Sequence, residues 1–174
     1  MLKPESRTDA VLNVVLILNV LLAVSSVAYA VAVPQQVESF TEFYLLTEND
    51  ESELVADGYP ANFTVGDAQP VVVGVTNQEH EQVNYTVVVE LQDVRLVGPN
   101  ETEVIVDRAT ERDRYSVSLG DNETDQRALD IRPTRTGERL RLAFLLYRGE
   151  PPTDPSAESA YREIHLFVNV TAAG

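Results

Sequence analysis

Residues 34–174 read as an all-β domain, an antiparallel immunoglobulin-like β-sandwich of about seven or eight strands, preceded by one N-terminal transmembrane α-helix. Three observations predict this. Apolar and polar residues alternate along several runs, turn-forming clusters punctuate those runs, and a 24-residue uncharged stretch from Ala10 to Val33 comes before them. Strand patterns without intervening helical periodicity pack as two sheets face to face, with a jelly roll as the alternative. The core cysteines and tryptophan of antibody domains are missing, because the chain has no Cys and no Trp.

The first element is the stretch from Ala10 to Val33. As a helix its 24 residues span about 36 Å, enough to cross a hydrocarbon core of about 30 Å. Asn13, Asn19, Ser25 and Ser26 are its strongly polar members; they could bond to another helix or be tolerated within a single span. Lys3 and Arg7 lie before it, and Glu38 and Glu42 after it. The positive-inside rule then puts residues 1–9 in the cytoplasm, 10–33 in the lipid bilayer of the cell membrane and 34–174 outside. A cleaved signal peptide is the competing reading, since Ala28-Tyr29-Ala30 fits a small-x-small cleavage site. The length of the apolar run favours the uncleaved, single-pass anchor.

The strands follow in order. Phe40 to Leu46 is an aromatic run, a polar turn covers Glu48 to Glu51, and Leu54 and Val55 return, which makes a hairpin. Val71, Val73 and Val75 share one face of the next strand, and Gln78 to Gln82 turn the chain. In the following strand Val83, Tyr85, Val87, Val89 and Leu91 point inward while Asn84, Thr86, Glu90 and Gln92 point to solvent. After the turn "GPNETE", the runs "EVIVDRA" and "RYSVSLG" read as separate strands around the charged stretch Asp107 to Arg114. The turn "GDNETD" leads on to a half-buried strand in which Leu140, Leu142, Phe144 and Leu146 alternate with Arg139, Arg141, Ala143 and Tyr147. A proline-rich loop with one helical turn over 156–161 precedes the last strand, whose Ile164, Leu166, Val168 and Val170 face inward.

Charge narrows the function. With 28 acidic and 13 basic residues the net charge is −15, which repels nucleic-acid phosphates and excludes a general nucleic-acid binder. Twelve of the basic residues are Arg and only Lys3 is Lys. An apolar content of 44% argues for a folded body under an acidic coat rather than disorder. Such a coat is tolerated where concentrated salt screens it, which points to a halophilic archaeon as the source.

Five Asn-x-Thr sequons, at Asn62, Asn84, Asn100, Asn122 and Asn169, mark candidate N-glycosylation sites and hence N-linked glycans as partners. Seven asparagines follow residue 34 and five are acceptors, whereas chance predicts about one. That excess agrees with an exported domain.

Signals for chemistry are weak. Without Cys there is no thiol catalysis, disulfide scaffold or thiolate metal site. His80 sits in the acidic turn "NQEHEQ" and His165 on the outward side of a strand, with no metal-ligand spacing between them. Ser116 and Ser118 lie on an alternating strand and not on a nucleophile elbow. "TENDESE" and "GDNETD" gather oxygens but lack the spaced calcium-loop pattern. The expectation is therefore no catalytic residue, no metal and no cofactor.

The run "RTDAVLNVVLILNVLLAVSSVAYAVAVP", followed by "ESFTEFYLLTENDESELVADGYP", "VNYTVVVELQ" and "AYREIHLFVNVT", resembles the C-terminal part of a haloarchaeal membrane-protein family known as domain of unknown function 1616. The resemblance covers nearly the whole chain. It implies a retained membrane helix at 10–33 and a salt-loving source, and brings no catalytic residue. Longer members carry further membrane helices before this point, so the chain is a short or a truncated member. Two functions are expected: a non-enzymatic, glycosylated binding or structural domain of the cell envelope that contacts surface-layer or other envelope proteins, or an accessory or sensing domain of an envelope enzyme or transport complex.

Overall fold

The computed structural model describes residues 38–98 and 103–174, together with Val15, Leu16, Leu18, Asn19, Val20 and Leu22. The chain divides into two units, 1–38 and 39–174. In the first, the six described residues are helical, and Val15, Leu16, Leu18, Val20 and Leu22 are each more than half exposed. The Asn19 side-chain amide donates to the Val15 carbonyl one turn back at 2.8 Å, so its polarity is satisfied within its own helix. Among the described residues no helix is long and apolar enough to cross a membrane. The expected cytoplasmic segment 1–9 and the rest of the expected span 10–33 lie outside the described residues.

The second unit is an all-β sandwich of nine strands. These are β1 (Phe40–Glu48), β2 (Leu54–Val55), β3 (Asn62–Thr64), β4 (Gln69–Gln78), β5 (Val83–Val97), β6 (Glu103–Leu119), β7 (Thr124–Ile131), β8 (Gly137–Arg148) and β9 (Arg162–Thr171). One sheet has the order β2-β1-β4-β7 and the other β3-β9-β8-β5-β6. The expected hairpin forms, with Thr47 opposite Val55. Two expectations are corrected. The sheets are not wholly antiparallel, because β3 runs parallel to β9. The runs "EVIVDRA" and "RYSVSLG" belong to one 17-residue strand, β6. Its charged middle stays extended because β6 is an edge strand paired only with β5, so its side chains need no core.

Period-2 patterning builds the core. Val71, Val73 and Val75 of β4 and Leu129 and Ile131 of β7 meet Tyr85, Val87, Val89 and Leu91 of β5 and Leu142, Phe144 and Leu146 of β8, all buried in one cluster. Each such side chain contributes roughly 1.5–3 kcal/mol by leaving water. Phe144→Ala, at a fully buried position, should cost about 3–5 kcal/mol through the lost transfer energy and the cavity.

A buried polar cluster closes one end between the sheets. Asn77, at the end of β4, donates its Nδ2 to the carbonyls of Glu81, Leu119 and Gly120 at 2.7, 2.9 and 3.0 Å. Its Oδ1 accepts the Glu79 N–H at 3.0 Å and the Tyr85 hydroxyl at 3.2 Å. Thr41 and Tyr161 each donate to Glu79 Oε1 at 2.7 Å. Residues from both sheets therefore share one network, and a low-dielectric setting makes every partner in it costly to lose.

Candidate functional site

The outer face of the five-stranded sheet carries the most structured polar surface. Thr86, Glu90 and Gln92 alternate onto that face, as the pattern requires, yet they are buried rather than solvated. Beside them the loop over 149–161 folds back across the sheet. Tyr147 fixes it: its hydroxyl accepts the Ser156 N–H at 2.9 Å and donates to the Ser156 carbonyl at 3.0 Å. Ala157 and Ala160 then cover Val88, Ala143, Leu145 and Tyr147, making a second small apolar cluster. The helical turn expected over 156–161 is present, with the Ala160 N–H bonded to the Ser156 carbonyl at 3.0 Å.

Beside this loop a groove runs along β6. One end is a cleft of about 280 Å³ lined by Glu90, Gln92, Asp107, Arg108, Asp154 and Ser156. The other, of about 550 Å³, is lined by Val104, Ile105, Arg141 and Glu158, and both ends include Val106, Ser156 and Ala157. Its apolar rim is open to solvent, since Val104, Ile105 and Val106 are exposed.

The floor is a chain of side chains. Gln92 donates to Glu90 Oε2 at 2.8 Å and accepts from Arg141 Nη1 at 3.1 Å. Arg141 Nη2 donates to Glu163 Oε1 at 2.5 Å, and His165 Nδ1 lies 2.9 Å from the same oxygen. Burial pushes the Glu90 carboxyl up from its ordinary value; the Gln92 hydrogen bond opposes this, and the negative Glu111 and Asp154 add to it. His165, expected to point outward without a partner, thus joins an ion-pair chain, and it also meets the Phe167 ring edge-on at 5.3 Å. Arg141 is engaged on both sides, so the floor offers hydrogen bonds and negative charge and holds no nucleophile beside a base.

The other candidates are engaged locally. Ser116 Oγ sits 2.9 Å from Thr86 Oγ1, and Ser118 Oγ accepts from Gln82 at 2.9 Å. His80 occupies its turn at φ 61 and faces Asp121 at 3.5 Å. Asn49 Oδ1 accepts the N–H groups of Glu51 and Glu53, while the Glu123 carboxylate accepts the Gly120 N–H, so both acidic stretches hold their own turns. Among the described residues no group of three or more His, Asp or Glu could hold a metal ion.

Of the sequon asparagines, Asn62, Asn84, Asn122 and Asn169 are exposed, and Asn100 lies outside the described residues. Asn84 sits near the start of β5, opposite Ser118. Asn122 occupies the β6–β7 turn at φ 62. Asn62 and Asn169 are direct partners across the parallel β3–β9 pair. Sequence periodicity placed Asn84 and Asn169 outward but carried no signal that Asn169 would meet Asn62.

Residues 34–169 match the family model described as domain of unknown function 1616. The chain belongs to this family. The DUF1616 match covers all nine strands up to the last two residues of β9. No functionally curated protein matches the chain. Among solved structures, it is similar to the CARDB domain of a Pyrococcus furiosus protein crystallised with di-metal ions: 15% identity, TM-score 0.46, over 76% of this chain and 89% of that one. It is also similar to part of a Listeria innocua β-glucosidase, at 14% identity and TM-score 0.45, over 78% of this chain. A β-glucosidase of intestinal bacteria involved in saponin metabolism gives 15% identity and TM-score 0.42 over 75%. The DUF1616 chain spans only 16% of either glucosidase.

Proposed function

We propose that this DUF1616 protein is a membrane-anchored, N-glycosylated, extracellular domain of a haloarchaeal cell envelope, with a binding or structural rather than a catalytic role. The observation that carries this reading is that all four described sequon asparagines present their side chains on the surface of the sandwich. The apolar run 10–33, behind Lys3 and Arg7, supports a single-pass anchor with the N-terminus in the cytoplasm, and the net charge of −15 supports a high-salt setting. The strand orders β1-β4-β7 and β9-β8-β5-β6 support an immunoglobulin-like assignment, as they follow the A-B-E and G-F-C-C′ arrangement of that fold. Binding is assigned to the groove along β6, where exposed Val104, Ile105 and Val106 could meet a surface-layer or other envelope protein. Intact mass of the protein taken from its source membranes tests the reading. A mass above that of the bare full-length chain is expected. A mass equal to the bare chain removes the glycoprotein assignment, and loss of about the first thirty residues removes the anchor.

The second reading is an accessory or sensing domain of an envelope enzyme or transport complex. The ion-pair chain beneath the groove favours it, because a buried arginine whose two terminal nitrogens are held by Gln92 and Glu163 gives a rigid, specific docking floor. Purification from membranes at high salt separates the two. A stoichiometric enzyme or transporter subunit that stays with the chain selects this second reading, and its absence selects the first.

A further inference from the structure

Two of the acceptor tripeptides face each other residue for residue. In the parallel β3–β9 pair Asn62 lies opposite Asn169, Phe63 opposite Val170 and Thr64 opposite Thr171. Neighbouring strands are about 4.8 Å apart, so two sugars rooted on this one rung would start from almost the same point. The two amides are not equivalent.

Asn169 opposes a β-bulge. Between the pairs Gly137–Val170 and Leu140–Val168, β8 places two residues, Glu138 and Arg139, against Asn169 alone. Arg139 takes a left-handed conformation, φ 54, and its N–H is directed at Asn169 Oδ1, which accepts it at 2.9 Å. A donor there fixes which way the Asn169 amide points, since only the oxygen can accept. Asn169 Nδ2 is thereby turned to β3, where Asn62 Oδ1 accepts it at 3.5 Å. That contact in turn directs the Asn62 Nδ2 away from the pair, and among the described residues it donates to nothing. β3 is also a three-residue edge strand with β9 as its one neighbour, whereas β9 is flanked on both sides. The Asn62 tripeptide is bonded along one side only and leaves its other backbone edge open, whereas the Asn169 tripeptide is enclosed between two strands.

We propose that this paired site accepts a single glycan, on Asn62 Nδ2, and that Asn169 stays bare as the support of the bulge. The inference rests on the glycoprotein reading above and makes it specific. The donor would be an oligosaccharide joined to a lipid phosphate and transferred by a membrane glycosyltransferase. The anomeric carbon–oxygen bond to phosphate breaks, a carbon–nitrogen bond to Asn62 Nδ2 forms, the amide proton passes to a base of the transferase and the lipid phosphate leaves. Nothing is oxidised or reduced.

The test is glycopeptide mass spectrometry on the protein from its source cells, cleaved at acidic residues so that Asn62 and Asn169 fall in separate peptides. Glycan on Asn62 and none on Asn169 is expected. Asn62→Gln and Thr64→Ala should each remove that glycan without moving it to Asn169, and Asn169→Gln should leave it in place. Thr64→Ala keeps both asparagines, so a folding defect in Asn62→Gln would not hide the result. Both sites occupied on one molecule, Asn169 alone occupied, or neither occupied while Asn84, Asn100 or Asn122 carries sugar overturns the inference and leaves the glycoprotein reading standing. A chain bare at all five sequons overturns both.

Discussion

The ring of Tyr44, on β1, lies flat across Gly74 of β4, in the space a side chain at that position would fill. Gly74 is opposite Tyr44 on one side and Gln126 of β7 on the other. The tyrosine reaches right across β4, and its hydroxyl accepts from Gln126 Nε2 at 3.1 Å. A glycine inside a strand is unfavourable by itself; here it makes room for an aromatic cover that ties three strands together. Gly74→Ala should therefore destabilise by about 1–3 kcal/mol, because the added methyl displaces the ring. In a Tyr44→Ala background the same change should cost nothing or stabilise slightly. Urea unfolding midpoints of the four proteins decide it, and additive effects would sink the account.

Asn77→Ala should be among the most damaging single substitutions. It strips a donor from three carbonyls and an acceptor from the Glu79 N–H and the Tyr85 hydroxyl, in a fully buried position. At about 1–3 kcal/mol for a buried group left unsatisfied, a loss of roughly 3 kcal/mol or more is expected by chemical denaturation. A loss below about 1 kcal/mol would mean that water replaces the amide.

Glu79 and Glu90 should give opposite pH effects. Burial pushes the Glu79 carboxyl up, but hydrogen bonds from Thr41 and Tyr161 and the charges of Arg148 and Arg162 outweigh it, so the net direction is below the ordinary 4.5. Its ionised form stabilises the fold above the unfolded value, and that stability is lost as pH falls through the folded one. Glu90 is shifted upward, so its stability is present below 4.5 and is lost as pH rises through its folded value. Glu79→Gln should lower the melting temperature at pH 7 and matter little near pH 3. Glu90→Gln should raise it at pH 7, with the gain fading by pH 4. Parallel pH profiles for the two variants would contradict the assignment.

Salt should stabilise the domain. At a net charge of −15 the surface repels itself, and about 1 M salt shortens the screening length to about 3 Å. The thermal unfolding temperature in potassium chloride should rise steeply from about 0.2 M toward molar concentrations. A flat response would show that the fold does not depend on screening its acidic coat.

The strands were legible where the chain alternates cleanly, as in β5, where Val83, Tyr85, Val87, Val89 and Leu91 all enter the core. Alternation also tells which side of β5 Glu90 and Gln92 take, but not that the 149–161 loop packs onto that same face, since periodicity reports a face and not what lies above it. The charged middle of β6 resembles a break in the sequence pattern, whereas an edge strand carries such charge without loss. The tripeptide Asn62-Phe63-Thr64 was recognised as a sequon but not as a strand: three residues are too few for a period, and their partner is over a hundred positions away. For the same reason the His165–Glu163–Arg141–Gln92–Glu90 chain could not be read, because it is assembled from three strands.

The parallel pairing of β3 with β9 has a consequence for the order in which the molecule is made. Asn62 meets a residue 107 positions later in the chain, so the edge of the five-stranded sheet cannot close until β9 has been synthesised. Contacts of such long sequence separation slow folding, and β9 itself must first dock on β8. Until then Phe63, which ends up only 2% exposed, has no place to go. The newborn chain therefore carries an uncovered apolar segment and an unfinished sheet until β9 has been made, and losing β9 would leave it in that state permanently.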